Sequence, residues 1–215
     1  MNRLETNSSK QAGFTIVELM VATAVFAVVL LIVSLGLLQI GRTYYKGVTS
    51  TNVQQTSRGI IDQISQAIQF SGGQIITSIT PRGNSRGFCI DNKRYSYELD
   101  QQVIDSNPNT SAHQNYHAFL VDDLPGCNGS TQAMDVDAPT GTYRELLGPR
   151  MRLSAAGGVS ISLVSGSSSL YSITINIIAG DDDVLNPART ACTSGRAGTQ
   201  FCAASNLTTT VKKRL

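Results

Sequence analysis

The sequence predicts an α+β fold, in which a long N-terminal α-helix with a transmembrane first half packs on an antiparallel β-sheet head. Three observations lead to this prediction. An apolar run with a single charge fills residues 14–40, an amphipathic helical pattern follows it directly, and stretches of alternating apolar and polar residues occupy the C-terminal part. One segment is therefore membrane-like and the remainder is expected to be soluble.

The composition of the 215-residue chain argues against partners selected by bulk electrostatics. Hydrophobic side chains make up 41% of the residues and charged ones only 15%, with a formal net charge of +2. A nucleic-acid-binding chain would carry a strong basic excess, and a disordered chain would hold fewer apolar residues. Nucleic acid is thus not an expected partner on grounds of charge.

The apolar run FTIVELMVATAVFAVVLLIVSLGLLQI at residues 14–40 is long enough to cross a bilayer, which takes roughly 20 helical residues. A secretory signal peptide has an apolar region of about 7–15 residues and a small-residue cleavage site. The run here is longer and continues into QIGRTYYK. A plain signal anchor is the other alternative. Neither explains Glu18, because a carboxylate in an apolar span costs free energy unless it has a partner or a use.

Glu18 would gain a partner if the chain were cut after Gly13. No basic residue lies in the apolar run itself. Cleavage would create a new α-amino group on Phe14, about one helical turn from Glu18 and of opposite charge. The segment then makes chemical sense as a processing site.

At these residues the sequence resembles the type IV pilin and pseudopilin superfamily. The resemblance rests on the polar leader MNRLETNSSKQAG and on Gly13, Phe14 and Glu18 in register with the apolar run. It implies that a prepilin peptidase cuts after Gly13, that Phe14 becomes the N-methylated mature N-terminus, and that Glu18 neutralises a neighbouring subunit's N-terminal amine during filament assembly. It also implies three partners: the peptidase, other pilin subunits and an inner-membrane assembly platform.

The resemblance implies a type IV pilin-like fold with these boundaries. We expect a leader peptide at 1–13, a transmembrane and assembly helix at 14–40, an amphipathic continuation at 41–72 and a globular β-rich head at 73–215. One departure from the family concerns Leu35-Gly36, where many members have a helix-kinking proline. Glycine permits a bend there without forcing one.

Beyond residue 40, an apolar stripe predicts that the helix continues to about Phe70. The stripe consists of residues at spacings near three, four or seven: Val53, Ile60, Ile64, Ala67 and Ile68. Polar residues fall largely between them: Gln54, Gln55, Arg58, Asp62 and Gln66. Ser71-Gly72-Gly73 supplies the stop, and a left-handed glycine is expected there.

Alternating residues predict the strands of the head. YSITINI at 171–177 and VSISL at 159–163 alternate apolar and polar residues, and the Gly166-Ser167-Ser168-Ser169 link predicts a hairpin. Further strand candidates are RYSYEL at 94–99, YHAFLV at 116–121 and QIITSI at 74–79. Connecting loops are expected at RGNSRG, DSNPNTSAHQN and GCNGSTQ.

Four cysteines in the predicted head, Cys89, Cys127, Cys192 and Cys202, predict disulfides in a compartment outside the cytoplasm. Three pairings are open. Cys192 with Cys202 would close a short loop near the C-terminus and leave Cys89 for Cys127. A disulfide-bonded C-terminal loop also resembles the variable surface loop of many pilins.

Two stretches of the head raise the question of a metal ion. Asp181–Asp183 in GDDDVLNP could ligate calcium, as in some pseudopilins, but the ligand alternation of an EF-hand loop is absent and we favour a solvated acidic turn. His113 and His117 are four residues apart, a spacing that suits two ligands of a zinc site, but no C-x-x-C accompanies them. We expect no metal and no cofactor.

The sequence thus predicts a structural subunit rather than an enzyme. No G-x-S-x-G, H-E-x-x-H or P-loop pattern occurs, and neither histidine has an evident nucleophile to activate. We expect a minor pilin of a type IV pilus or related filament, first a single-pass membrane protein and then part of an extracellular pilus or periplasmic pseudopilus. The alternatives are a minor pseudopilin of a type II secretion system and a filament-borne adhesin or DNA-binding head.

Overall fold

A computed structural model describes residues 13–104 and 117–214 of the chain. Within these ranges, one long α-helix is followed by nine β-strands and two short 3-10 turns. The described residues divide into two compact units, the first ending at Thr43 and the second beginning at Tyr44. The long apolar helix, the antiparallel sheets and two disulfides confirm the predicted α+β fold.

Helix α1 runs from Ile16 to Gln69 and confirms the predicted continuation beyond the apolar run. It passes through Gly36 without interruption. In the first unit its apolar side chains are exposed. By length and composition this part of the helix is a candidate membrane span.

The helix ends at the predicted stop but without the expected left-handed glycine. Neither Gly72 nor Gly73 has a positive φ, so this prediction is wrong. Instead, the N–H of Ser71 donates to the Ile68 carbonyl, which closes the last turn with a tighter 3-10 bond. The Ser71 hydroxyl then donates to the Gly73 carbonyl at 3.2 Å. The helix thus ends with a 3-10 bond from the Ser71 N–H rather than with a left-handed glycine.

In the second unit, one face of the helix is buried against the sheets. The buried helical residues are Val53, Ser57, Ile60, Ile61, Ile64 and Ile68. They confirm the predicted apolar stripe, with Ala67 packed beside it. Ser57 fits the stripe because its hydroxyl donates to the Val53 carbonyl at 2.9 Å. The stripe shares one core with residues of both sheets, among them Tyr95 and Ile173.

The nine strands form two antiparallel sheets. The first has the order β1-β2-β3-β4-β5: Ile75–Ile76, Arg86–Ile90, Lys93–Tyr97, Phe119–Asp123 and Tyr143–Glu145. The second contains β6, β7, β8 and β9: Met151–Leu153, Val159–Leu163, Leu170–Ala179 and Ala203–Lys212. The short strands β6 and β7 share one edge of β8, and β9 pairs along the other edge. Residues 180–202 form the connection from β8 to β9, here called the C-terminal loop.

Several strand predictions are confirmed. The predicted hairpin is β7 with β8, in which Val159 lies opposite Ile175. RYSYEL, YHAFLV and QIITSI each contain part of a strand, and GCNGSTQ is a loop. The predicted loop DSNPNTSAHQN lies outside the described residues.

The predicted loop RGNSRG is wrong at its last two residues, Arg86 and Gly87, which begin β2. Gly87 lies opposite Ser96 in the ladder with β3. A Cβ at Gly87 would lie 2.4 Å from the carbonyl oxygen of Tyr95 and 2.9 Å from a methyl carbon of Ile79. Glycine therefore permits a close packing of β2 rather than a loop.

Candidate functional site

Gly13 and Phe14 lie in non-helical backbone just before helix α1. A Cβ built on Gly13 would meet no atom within 4 Å, and the Phe14 side chain is exposed. The peptide bond between them is thus outside the helical hydrogen bonds and uncrowded by the described residues. This is the bond at which the sequence predicts cleavage.

Glu18 closes a capping box with Thr15 at the start of the helix. The Thr15 N–H and hydroxyl both donate to Glu18 Oε2, at 2.9 and 2.8 Å. In return, the Glu18 N–H donates to Thr15 Oγ1 at 3.3 Å. Threonine at the N-cap and glutamate three residues later satisfy each other's backbone donors in this motif. Glu18 therefore has a local partner as well as the proposed intermolecular one.

The capping box survives the predicted cut, because Thr15 and Glu18 both follow Gly13. A carboxylate in the first turn also interacts favourably with the positive end of the helix dipole. The pattern T-x-x-E before an apolar run is the sequence signal of this motif, and the charge of Glu18 alone does not predict it. One carboxylate oxygen, Oε1, accepts no hydrogen bond from the described residues.

The structure pairs the four cysteines as Cys89–Cys127 and Cys192–Cys202. Their Cα atoms are 6.0 and 5.8 Å apart, within the usual range for disulfides. The first bond joins β2 to the loop after β4, and the second closes the end of the C-terminal loop. Cys192 and Cys202 pack with a small apolar cluster of Ile178, Val184 and Leu185. On the chain-entropy estimate the two bonds contribute about 4 and 3 kcal/mol.

We expect all four thiols to resist alkylation in chain that has been exported and folded. Treatment with a polyethylene-glycol maleimide should leave its electrophoretic mobility unchanged until a reductant is added under denaturing conditions, after which four adducts should form. Double substitution of Cys192 and Cys202 by serine should leave two reactive thiols after reduction. Alkylation of the unsubstituted chain in the absence of reductant would contradict the pairing.

A ring of four alternating charges, the Asp–Arg ring, anchors the C-terminal loop to the second sheet. Arg152 on β6 pairs with Asp100 at 3.2 Å and with Asp182 at 2.7 Å. Arg189 pairs with the same two carboxylates, at 2.8 and 3.0 Å. Arg152 is only 2% exposed. Its carboxylate partners therefore compensate a buried charge.

The acidic stretch is a turn whose first two carboxylates contact guanidinium groups. Asp181 is paired with Arg150, and Asp182 belongs to the Asp–Arg ring and begins the 3-10 turn Asp182–Val184. The hydrogen bond from Arg150 holds the pKa of Asp181 below its usual value. Carboxylates compensated in this way have less to offer a cation than free ones.

His117 belongs to a hydrogen-bonded cluster at the start of β4. Its Nδ1 lies 3.4 Å from a Glu145 carboxylate oxygen, and its Nε2 lies 3.4 Å from the Tyr143 hydroxyl. Glu145 also accepts backbone N–H groups, including those of Ala118 and Phe119. His113, the other residue of the zinc hypothesis, lies outside the described residues. Among those described, no group of three or more His, Cys, Asp and Glu could hold a metal ion.

Comparison with known proteins identifies the N-terminal segment. Residues 8–34 match the family model of the prokaryotic N-terminal methylation motif. The match includes Gly13, Phe14 and Glu18 and much of the exposed apolar part of helix α1. No curated protein matches the chain. No solved structure matches it either. The chain thus carries the prepilin-type signal of the type IV pilins and pseudopilins, followed by an α+β fold that is consistent with a type IV pilin-like one.

Proposed function

We propose that this chain is a minor pilin, a structural subunit of a type IV pilus or a related filament. The observation that carries the proposal is the register between the methylation motif at 8–34 and helix α1. Gly13 lies within the matched residues and three positions before the helix begins at Ile16, and the exposed apolar run begins at the next residue, Phe14. This order of processing site and apolar helix suits a subunit that is stored in a membrane and assembles through the same helix.

The proposed sequence of events begins with insertion of residues 14–40 in the membrane. Prepilin peptidase then removes the leader 1–13 by cutting after Gly13, and Phe14 is methylated on its new amino group. An inner-membrane assembly platform transfers the subunit into a filament with other pilin subunits. Residues 41–72 and the head at 73–215 then lie in an extracellular pilus or a periplasmic pseudopilus.

Glu18 has two compatible roles in this proposal. Within its own chain it caps helix α1 through Oε2. Its Oε1 accepts no hydrogen bond among the described residues and could receive the Phe14 amine of a neighbouring subunit. An ammonium and a carboxylate that meet away from water attract each other more strongly than in solvent. The pair would thus favour the assembled state over the isolated subunit.

Replacement of Gly13 by leucine should block processing and leave a membrane-inserted precursor that retains residues 1–13. The reason is that a branched side chain crowds the backbone that the peptidase must approach closely. Intact-mass analysis of the membrane fraction distinguishes precursor from mature chain. Gly36→Leu is the matched control, since Gly36 also has open surroundings but lies outside the matched motif, and it should be processed fully. A Gly13→Leu chain trimmed to a methylated Phe14 would contradict the proposed cleavage site.

A further inference from the structure

We propose that, before assembly, the C-terminal loop rests on the membrane surface through an aromatic patch formed by Tyr44, Tyr45 and Phe201. The occupant of the patch is the headgroup region of the bilayer on the side of the head. The inference goes beyond the proposed function, but it rests on the membrane span that this function requires.

The aromatic patch joins the helix to the C-terminal loop within the second unit. The Tyr45 and Phe201 rings are 5.4 Å apart, and the Tyr44 and Tyr45 rings are 5.9 Å apart. The three side chains nevertheless remain 68%, 53% and 41% exposed in chain order. The patch thus holds a defined arrangement while most of its aromatic surface lacks a partner among the described residues.

Phe201 is a large apolar side chain in an otherwise small and polar segment. Between the two cysteines of the C-terminal loop the sequence is TSGRAGTQF, in which all residues except Phe201 are small or polar. Phe201 ends the 3-10 turn Thr199–Phe201 and immediately precedes the disulfide-bonded Cys202. The disulfide therefore limits the freedom of an exposed phenylalanine that is directed at the helix rather than into the core.

Chain connectivity keeps the aromatic patch close to the bilayer. Tyr44 and Tyr45 follow Ile40, the last residue of the apolar run, by four and five positions within helix α1. At a helical rise of 1.5 Å per residue this corresponds to about 6–8 Å along the helix. The headgroup region on each side of the hydrocarbon is about 5–8 Å thick. Aromatic side chains with a polar end are enriched at that depth.

Lys46 gives the same surface a positive charge. It is exposed and lines a cleft of about 480 Å³ together with Ser50 and residues of the C-terminal loop, including Thr199 and Cys202. No ion pair to Lys46 is present in the described part of the chain. A lysine at this depth can lay its apolar stem along the patch and place its ammonium among lipid phosphates. The chemistry of the patch therefore matches an interface of phospholipid and water.

The absence of tryptophan from the chain allows a direct depth measurement. Three single-tryptophan variants of the full chain, Phe26→Trp, Phe201→Trp and Phe70→Trp, are reconstituted at high lipid-to-protein ratio in phosphatidylcholine and phosphatidylglycerol vesicles. Part of the phosphatidylcholine carries bromine on its acyl chains, near the headgroup end in one vesicle preparation and near the methyl end in a second, and quenches tryptophan at the same depth. We expect the shallow bromine to quench Phe201→Trp and the deep bromine to quench Phe26→Trp, and both variants should emit further to the blue than Phe70→Trp.

Phe70→Trp is the matched control. Phe70 is also exposed and also aromatic, but it follows Tyr45 by 25 residues along the chain. Its replacement should escape bromine quenching and remain open to a water-soluble quencher. Loss of quenching in Phe26→Trp would show that the span itself fails. Quenching of Phe26→Trp with none in Phe201→Trp would overturn the membrane contact of the patch and leave the span intact. The inference would also be overturned if Phe201→Trp were shielded in a way that depends on protein concentration and not on bromine, because a neighbouring subunit would then be the occupant.

Discussion

Replacement of both Asp100 and Asp182 by asparagine is expected to lower the free energy of unfolding of the head by about 3–5 kcal/mol. The double variant removes both carboxylates of the Asp–Arg ring and leaves the Arg152 guanidinium, which is 2% exposed, without a compensating charge. Asparagine tolerates the left-handed backbone at Asp100, where φ is 62°, so the change tests charge rather than backbone strain.

A third substitution should reverse most of this loss. Adding Arg152→Met to the double variant removes the uncompensated charge and replaces it with a flexible apolar side chain of similar length. Removing the partners of a buried charge is costly because the charge itself stays buried, and the triple variant no longer contains the buried Arg152 charge. The triple variant should therefore be more stable than the double variant, although it carries more changes.

Thermal unfolding of the full chain in a non-denaturing detergent, followed by circular dichroism of the sheets, measures both effects. For a domain of this size each kcal/mol corresponds to about 2–4 °C in Tm. Arg150→Met is the control, because Arg150 pairs with the half-exposed Asp181 and an exposed pair contributes only about 0–1 kcal/mol. A triple variant that is no more stable than the double variant would contradict the assignment of Arg152 as a buried, compensated charge.

The elements with a clear hydrophobic period could be predicted from the sequence. The stripe that includes Val53, Ile60 and Ile64 repeats with the period of a helix, and it predicted the buried face of helix α1. The stretch YSITINI alternates strictly, and it predicted β8 together with its hairpin partner. In both cases a single buried face determines the pattern, so local sequence carries the information.

Strand β9 escaped prediction because its inward residues are not uniformly apolar. It is ten residues long and pairs with the whole of β8. Its buried positions include Ala203, Ser205 and Val211, and three consecutive threonines at 208–210 precede Val211. Pairing with a strongly apolar neighbour stabilises β9, and this is a tertiary effect that overrides a weak local pattern.

The Asp–Arg ring could not be predicted for a different reason. Its members, Asp100, Arg152, Asp182 and Arg189, come from separate segments that only the folded head brings together. The sequence identified the acidic stretch as a turn but offered no means of finding its arginine partners. The capping box of Thr15 and Glu18 was local and could have been found, since its spacing alone defines it.

The largest functional effect is expected at Glu18, whose replacement by alanine should reduce entry into filaments. The expected loss is about tenfold or more, as when one partner of a buried charge pair is removed from an interface. Insertion and cleavage should continue, because the apolar run and Gly13 are unchanged. The measurement is the ratio of this subunit in sheared filaments to that in the membrane, with the mature mass confirmed in each sample.

Two further variants separate the charge of Glu18 from its capping role. Glutamine at position 18 can still accept the Thr15 N–H and complete a capping box, but it carries no charge. Thr15→Ala removes the hydroxyl that bonds Glu18 and leaves the carboxylate in place. If the charge pairs with a neighbour's Phe14 amine, Glu18→Gln should assemble as poorly as Glu18→Ala, and Thr15→Ala should assemble nearly as well as the unaltered chain. If Glu18 acts only as a helix cap, Glu18→Gln should assemble normally and Thr15→Ala should show the defect. That second pattern would contradict the proposed pairing and leave the capping box as the reason for a carboxylate at the start of the span.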